Sequence, residues 1–198
     1  MGYKVIHLIE AVDWLEEIEY ARLVEQCRQI FCYLAGNAEC MEQVCLTFSD
    51  KVKEIQIDHG RWPGDTAFRR PRRRKKLEKN EQKVCFEEAL YAASAHMQSD
   101  EDWIVILYTA GAVKRSKRTM LTKWKKTLVT QPALLAVKTD RSDRSFLESY
   151  TETDKVFEAG MLEDAFQWLD GKRNLPDAKH QKIKRETELW KIIRDCFV

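Results

Sequence analysis

The chain has 198 residues, 44% of them hydrophobic and 33% charged, and 34 Lys/Arg against 32 Asp/Glu leave a net charge of +2. That apolar share supplies a core and excludes disorder along the whole length, and the length suits one domain with an appended element. No apolar run reaches the ~18 residues of a membrane span, and His7 and Glu10 interrupt the opening stretch MGYKVIHLIE, so a secretory signal is not expected.

Residues 3–9 (YKVIHLI) are apolar and β-branched and predict a buried strand. Asp13 is the predicted helix cap, with Glu16 and Glu17 in the turn that follows. Leu15, Ile18, Ala21, Val24, Cys27, Phe31 and Leu34 then recur at three- and four-residue steps, the mark of an amphipathic helix, which Gly36-Asn37 stops. Residues 44–48 (VCLTF) predict a second strand, and Val52, Ile55 and Ile57 a third, joined through Ser49-Asp50 as a hairpin. Residues 59–80 break the pattern with Gly60, Pro63, Gly64 and Pro71 and the run RRPRRRKK, and predict a basic loop insertion. Residues 84–97 return to helical spacing, and 103–109 (WIVILYT), the most apolar run, predict a central strand. Met120, Leu121, Trp124 and Leu128 mark the apolar face of an otherwise basic helix ended by Pro132. A buried strand at 133–137, a short helix at 142–150, an edge strand at 155–158 and a helix at 161–169 follow. Residues 173–198 read as a linker and an amphipathic helix with the stripe Ile183, Trp190, Ile193, Phe197, a candidate partner-binding face.

Strands with continuous apolar runs, alternating with helices, imply a mainly parallel sheet covered on both faces, with one antiparallel strand from the hairpin. This is a doubly wound, Rossmann-like α/β fold of six strands over residues 1–172. Function in such sheets sits beyond the carboxyl ends of the strands. No glycine-rich dinucleotide loop, Walker loop or nucleophile elbow is present. The cysteines (Cys27, Cys32, Cys40, Cys45, Cys85, Cys196) form no C-x-x-C pair and have no common zinc spacing, so reduced, buried thiols are expected.

The near-neutral charge is an average over a strong asymmetry. Residues 61–83 carry a net +7, residues 114–126 another +7, and the remainder −12. Lys/Arg clusters of this kind neutralise phosphates and release counterions. Candidate nucleic-acid contacts are Arg69, Arg70, Arg72, Arg73, Arg74, Lys75 and Lys76 in the loop, and Lys114, Arg115, Lys117 and Arg118 before and at the basic helix. Trp62, Phe68 and Trp124 are nearby aromatics for base stacking, with Trp124 better suited to the core by its spacing from Leu121 and Leu128. A nuclear-localisation signal in a eukaryotic source, or a solvated loop, are equally physical readings of RPRRRKK.

Several strings stand in the order of the von Willebrand factor A-like (vWA) domain, which the chain resembles over residues 3–170. These are LTFSD (46–50), GDTAF (64–68), EEALYAAS (87–94), DWIVILYTAG (102–111), ALLAVKTD, SFLESY and KVFEAG. The resemblance implies a metal-ion-dependent adhesion site (MIDAS) built from Asp-x-Ser-x-Ser after the first strand, a Thr in the second loop and an Asp after the fourth strand. Those positions fall here on Glu10, Val12, Trp14, Thr66 and Ala110, which leaves two oxygen-bearing side chains where a hard cation wants about six ligands. The expectation is a degenerate site, no metal or other cofactor, and no enzymatic activity. The resemblance then points to the family's intracellular members, which are often scaffolds of multi-subunit assemblies. A soluble scaffold in an intracellular complex acting on nucleic acid is expected, nuclear in a eukaryote and otherwise cytoplasmic, with protein partners and no membrane. The alternatives are direct DNA or RNA binding through 69–76 and 114–126, and a metal-dependent enzyme using Glu10, Asp13, Asp65 and Asp140, common acids for strand-end loops.

Overall fold

The computed structural model describes residues 2–12, 15–70, 85–97, 102–111, 118–139, 142, 144–151 and 155–171. In chain order the elements are β1 (Tyr3–Glu10), α1 (Glu17–Ala35), β2 (Cys40–Phe48), β3 (Val52–Ile55), a 3-10 turn (Asp65–Phe68), α2 (Phe86–His96), β4 (Asp102–Thr109), α3 (Arg118–Thr127), β5 (Ala133–Lys138), α4 (Arg144–Thr151), β6 (Val156–Glu158) and α5 (Glu163–Gly171). The six strands form one sheet in the order β3-β2-β1-β4-β5-β6. Every neighbouring pair is parallel except β2 with β3.

The strands bury both faces because alternate side chains point to opposite sides. On β1, Val5 and Ile9 enter a core shared with Leu23, Ile30 and Phe31 of α1 and Phe166 and Leu169 of α5. Ile6 and Leu8 face the other way, into a core built with Phe86 and Leu90 of α2, Trp124 of α3 and Phe146 and Tyr150 of α4. β4 divides the same way, with Ile104, Ile106 and Tyr108 on the α1 side and Trp103, Val105 and Leu107 on the other. The continuous apolar runs follow from this two-sided burial.

Some local expectations shift. α1 begins at Glu17 with Glu16 as its N-cap, which makes no side-chain capping bond; Glu17 and Glu19 in the first turn offset the positive helix end. The predicted cap Asp13 lies outside the described residues. Ile18 follows Leu15 at a three-residue step yet is 76% exposed, because Leu15 precedes the helix and, within α1, Ile18 lies roughly 180° around from the buried Tyr20 and Cys27. β2 starts at Cys40, four residues before its apolar run, since its exposed first half still pairs with β1 through Tyr3↔Cys40 and Lys4↔Glu42. The third strand ends at Ile55, and Ile57 packs instead against the α1-side core. Cys27, Cys32, Cys40, Cys45 and Cys85 form no disulfide with one another, and the first, fourth and fifth of them are buried. No helix among the described residues is long and apolar enough to cross a membrane.

Candidate functional site at the carboxyl edge of the sheet

From β1 the chain builds one wing of the sheet, β2 and β3, then crosses back to lay β4 against the other side of β1. The crevice outside the carboxyl ends of β1 and β4 is thus the topological switch point, where open α/β sheets carry their sites. Glu10 ends β1 and is fully buried. Its carboxylate oxygen Oε2 accepts the Thr109 hydroxyl and, at 3.1 Å, the Ala110 backbone N–H. The Gly111 N–H donates to Thr109 Oγ1 at 3.1 Å, and φ of 99° at Gly111, a backbone region that disfavours side-chain-bearing residues, turns the chain away from β4. From the neighbouring strand end, the Ser142 hydroxyl and the Thr139 N–H donate to the Thr109 carbonyl at 2.9 and 3.1 Å. β1, β4 and β5 are therefore cross-linked at their carboxyl ends by a polar knot around Glu10 and Thr109.

The other positions of the expected metal site lie differently. Val12 is fully buried in the α1-side core, as is Ala110, which carries no donor. Thr66 stands exposed on the 3-10 turn. Trp14, like Asp13 and Asp140, lies outside the described residues. Asp65 is exposed and accepts the Trp62 indole N–H at 3.4 Å. Among the described residues no group of three or more His, Cys, Asp or Glu is placed to hold a metal ion.

Arg70 is the group that spacing alone did not reveal. One of its guanidinium nitrogens donates to the Val12 carbonyl at 2.7 Å and the Leu15 carbonyl at 2.9 Å, and the other reaches Glu17 Oε2 at 3.1 Å. The guanidinium also lies 4.6 Å from the centre of the Tyr20 ring, whose hydroxyl donates to the Phe68 carbonyl at 2.6 Å. Trp62 stacks on Phe68 at 4.6 Å and meets Phe31 edge-on at 5.5 Å. The 3-10 turn and the residues around it are thereby fixed to the start of α1.

This packing corrects three expectations. Arg70 is not a free phosphate contact: its side chain is 12% exposed and two of its nitrogens bond to the Val12 and Leu15 carbonyls and Glu17. Phe68 is core, 2% exposed, and is no base-stacking platform. Trp62 has one face covered by Phe68. Trp124 is fully buried, as its spacing predicts, and its indole N–H donates to the Leu90 carbonyl and Ser94 Oγ at 3.0 and 2.7 Å. Arg69 is exposed, as are Lys123 and Lys126 on α3. The side chain of Arg118, and all of Arg72, Arg73, Arg74, Lys75, Lys76, Lys114, Arg115 and Lys117, lie outside the described residues, as do Ile183, Trp190, Ile193 and Phe197. Arg70, inside the basic insertion, and Cys85, five residues beyond it, are both bonded at the carboxyl edge. Arg70 holds the β1–α1 loop, and Cys85 donates its N–H to the Ser49 carbonyl at 2.7 Å and its thiol to the Asp50 carbonyl at 2.9 Å.

Beside the edge strand β3 runs an open groove of about 580 Å³, lined by Lys53, Ile55, His59, Arg61, Trp62 and Pro63 among others. Its charges are mixed in sign, and it holds no nucleophile–base pair. Beneath the knot, His7 is fully buried on β1. Gln43 turns its amide nitrogen to the Phe31 carbonyl, so its oxygen accepts His7 Nε2–H at 3.0 Å, and His7 Nδ1 accepts the Tyr108 hydroxyl at 2.9 Å. Burial holds the imidazole pKa down to about 4, against a weaker upward pull from the Gln43 bond. The ring is a neutral structural group.

No protein-family model and no curated protein sequence matches the chain. Solved structures match it in shape. Proximal thread matrix protein 1 from the mussel byssus superposes with a TM-score of 0.57 at 13% identity, over 85% of this chain and 45% of that one. One structure of that protein has a zinc-occupied MIDAS motif. A von Willebrand factor type A structure from Catenulispora acidiphila gives 0.55 at 7% identity, over 85% of this chain and 41% of that one. BatB from Bacteroides thetaiotaomicron gives 0.55 at 8% identity, over 86% and 96%. The chain thus spans less than half the length of the first two. Its fold is the vWA fold; at these identities the likeness speaks to architecture alone.

Proposed function

We propose that the chain is a non-enzymatic protein-interaction module whose carboxyl edge works without a metal, a scaffold in an intracellular assembly acting on nucleic acid. The observation that carries this reading is the state of the switch point. The one carboxylate at the expected metal position is fully buried and accepts the Thr109 hydroxyl and Ala110 N–H. A hard cation needs about six oxygen ligands, and Val12 and Ala110 bring none from their side chains. The residues present do not fit the ion that the fold family implies, and no step of the proposed function passes through one.

The basic insertion supports the link to nucleic acid. Before the run 72–76, Arg70 bonds to the Val12 carbonyl, and after it Cys85 bonds to the Ser49 carbonyl, both at the carboxyl edge; α3 adds the exposed Lys123 and Lys126. The stripe Ile183, Trp190, Ile193, Phe197 is the proposed partner-binding face. Direct DNA or RNA binding as the main activity is the second reading, favoured by that same exposed α3 surface. Cross-linking and affinity capture of the intact chain, beside a chain with residues 72–76 changed to Gln, tests both. Protein partners retained by both chains support the scaffold. If no protein is retained, and nucleic acid is bound with an affinity falling steeply above about 50 mM salt only in the intact chain, the second reading replaces the first.

A further inference from the structure

We propose that Arg70 is the resident cation of the carboxyl edge, a guanidinium on the chain's own backbone that ties the first loop to the second. The inference rests on the metal-independent reading of that edge and deepens it. The charge stands where two loops must be held together. On one side are the Val12 and Leu15 carbonyls and the Glu17 carboxylate; on the other, two residues along the chain, is the 3-10 turn that bears Thr66.

The donor geometry suits the task. A guanidinium presents its N–H groups in a rigid planar fork, which an ammonium does not. Here one nitrogen bridges two carbonyls of the β1–α1 loop and the other reaches the first turn of α1. Tyr20 closes the arrangement from below, with its ring against the guanidinium and its hydroxyl on the Phe68 carbonyl. The carbonyls of a buried turn need donors. Arg70 supplies them with a positive charge and requires no ion from solution. Arg70 lies within the basic insertion 59–80, two residues before the run 72–76.

The test is amide hydrogen exchange on the full chain, read at Leu15, Tyr20, Ala67 and Arg69, whose N–H groups donate to Val12, Glu16, Gly64 and Thr66. In Arg70→Ala these amides are expected to exchange about ten- to a hundredfold faster, as loss of charge-assisted bonds implies, while β4 amides are unchanged. Methylguanidinium at about 20 mM should restore most of the protection, and methylammonium should not. Exchange within about twofold of wild type in Arg70→Ala overturns the proposal, and so does a loss that methylguanidinium fails to restore. If β4 exchange shows that Arg70→Ala is globally unfolded, Arg70→Lys decides: loss confined to the four amides supports the fork, and wild-type protection overturns it. A separate arm adds Mg²⁺ or Mn²⁺ to the wild type. Protection of the same amides by the ion contradicts the metal-independent reading itself, whatever the Arg70 variants do.

Discussion

Replacing His7 by Gln should flatten the acid side of the stability profile. The imidazole is buried on the central strand with both nitrogens bonded in the neutral form, and its pKa is lowered from 6.5 to about 4. Below pH 6.5 the unfolded chain binds a proton that the folded chain refuses, so stability falls as pH falls; below about 4 the folded ring protonates too and the loss levels off. The gap corresponds to about 3 kcal/mol, lost at no more than about 1.4 kcal/mol per pH unit. For a domain of this size that amounts to a fall in Tm on the order of 10 °C. Urea denaturation of both proteins at intervals from pH 7.5 to 4 isolates the term, since the carboxylates common to both cancel in the difference. The variant should be less stable at pH 7.5 and should lose less stability on acidification. Parallel profiles across pH 6.5 to 4 would refute the assignment of His7 as a buried neutral group.

Three further outcomes follow from packing. Glu10→Ala leaves the Thr109 hydroxyl and Ala110 N–H without their acceptor and should cost about 1–3 kcal/mol by denaturation, with Glu10→Gln, which keeps a carbonyl oxygen, costing less. Trp124→Ala removes a fully buried indole bonded to Leu90 and Ser94 and should cost about 3–5 kcal/mol in the same assay. Ile18→Ser should change stability by no more than about 0.5 kcal/mol because the side chain is exposed; a core-sized loss would restore Ile18 to the buried face.

Much of the fold is legible in the sequence because burial on both faces writes itself as continuous apolar runs. YKVIHLI and WIVILYT are the two central strands, and the Leu121–Trp124 spacing identifies a buried tryptophan. Where the structure departs from the sequence pattern, the cause is physical. The first half of β2 is held by pairing with β1 while its side chains face solvent, so no hydrophobic signal marks it. Ile18 keeps a three-residue step from Leu15, but Leu15 lies before α1, and within the helix Ile18 falls opposite the buried Tyr20 and Cys27. Arg70 is hidden by its neighbours: inside RRPRRRKK it reads as one more solvated charge, and only the approach of the β1–α1 loop, from a distant part of the sequence, sets it apart. The substitutions Val12 and Ala110 in the metal motif can be read directly. The bonds from Thr109 and Ala110 to Glu10 join residues a hundred positions apart, and only the β1–β4 register brings them together.

The carboxyl edge of the sheet is expected to take up no ion. Titrating the chain with Mn²⁺ while recording amide NMR line widths puts the question at each residue. No site-selective broadening is predicted at Glu10, Val12, Thr66 or Ala110; saturable broadening centred on those amides, abolished by Glu10→Ala, would contradict it.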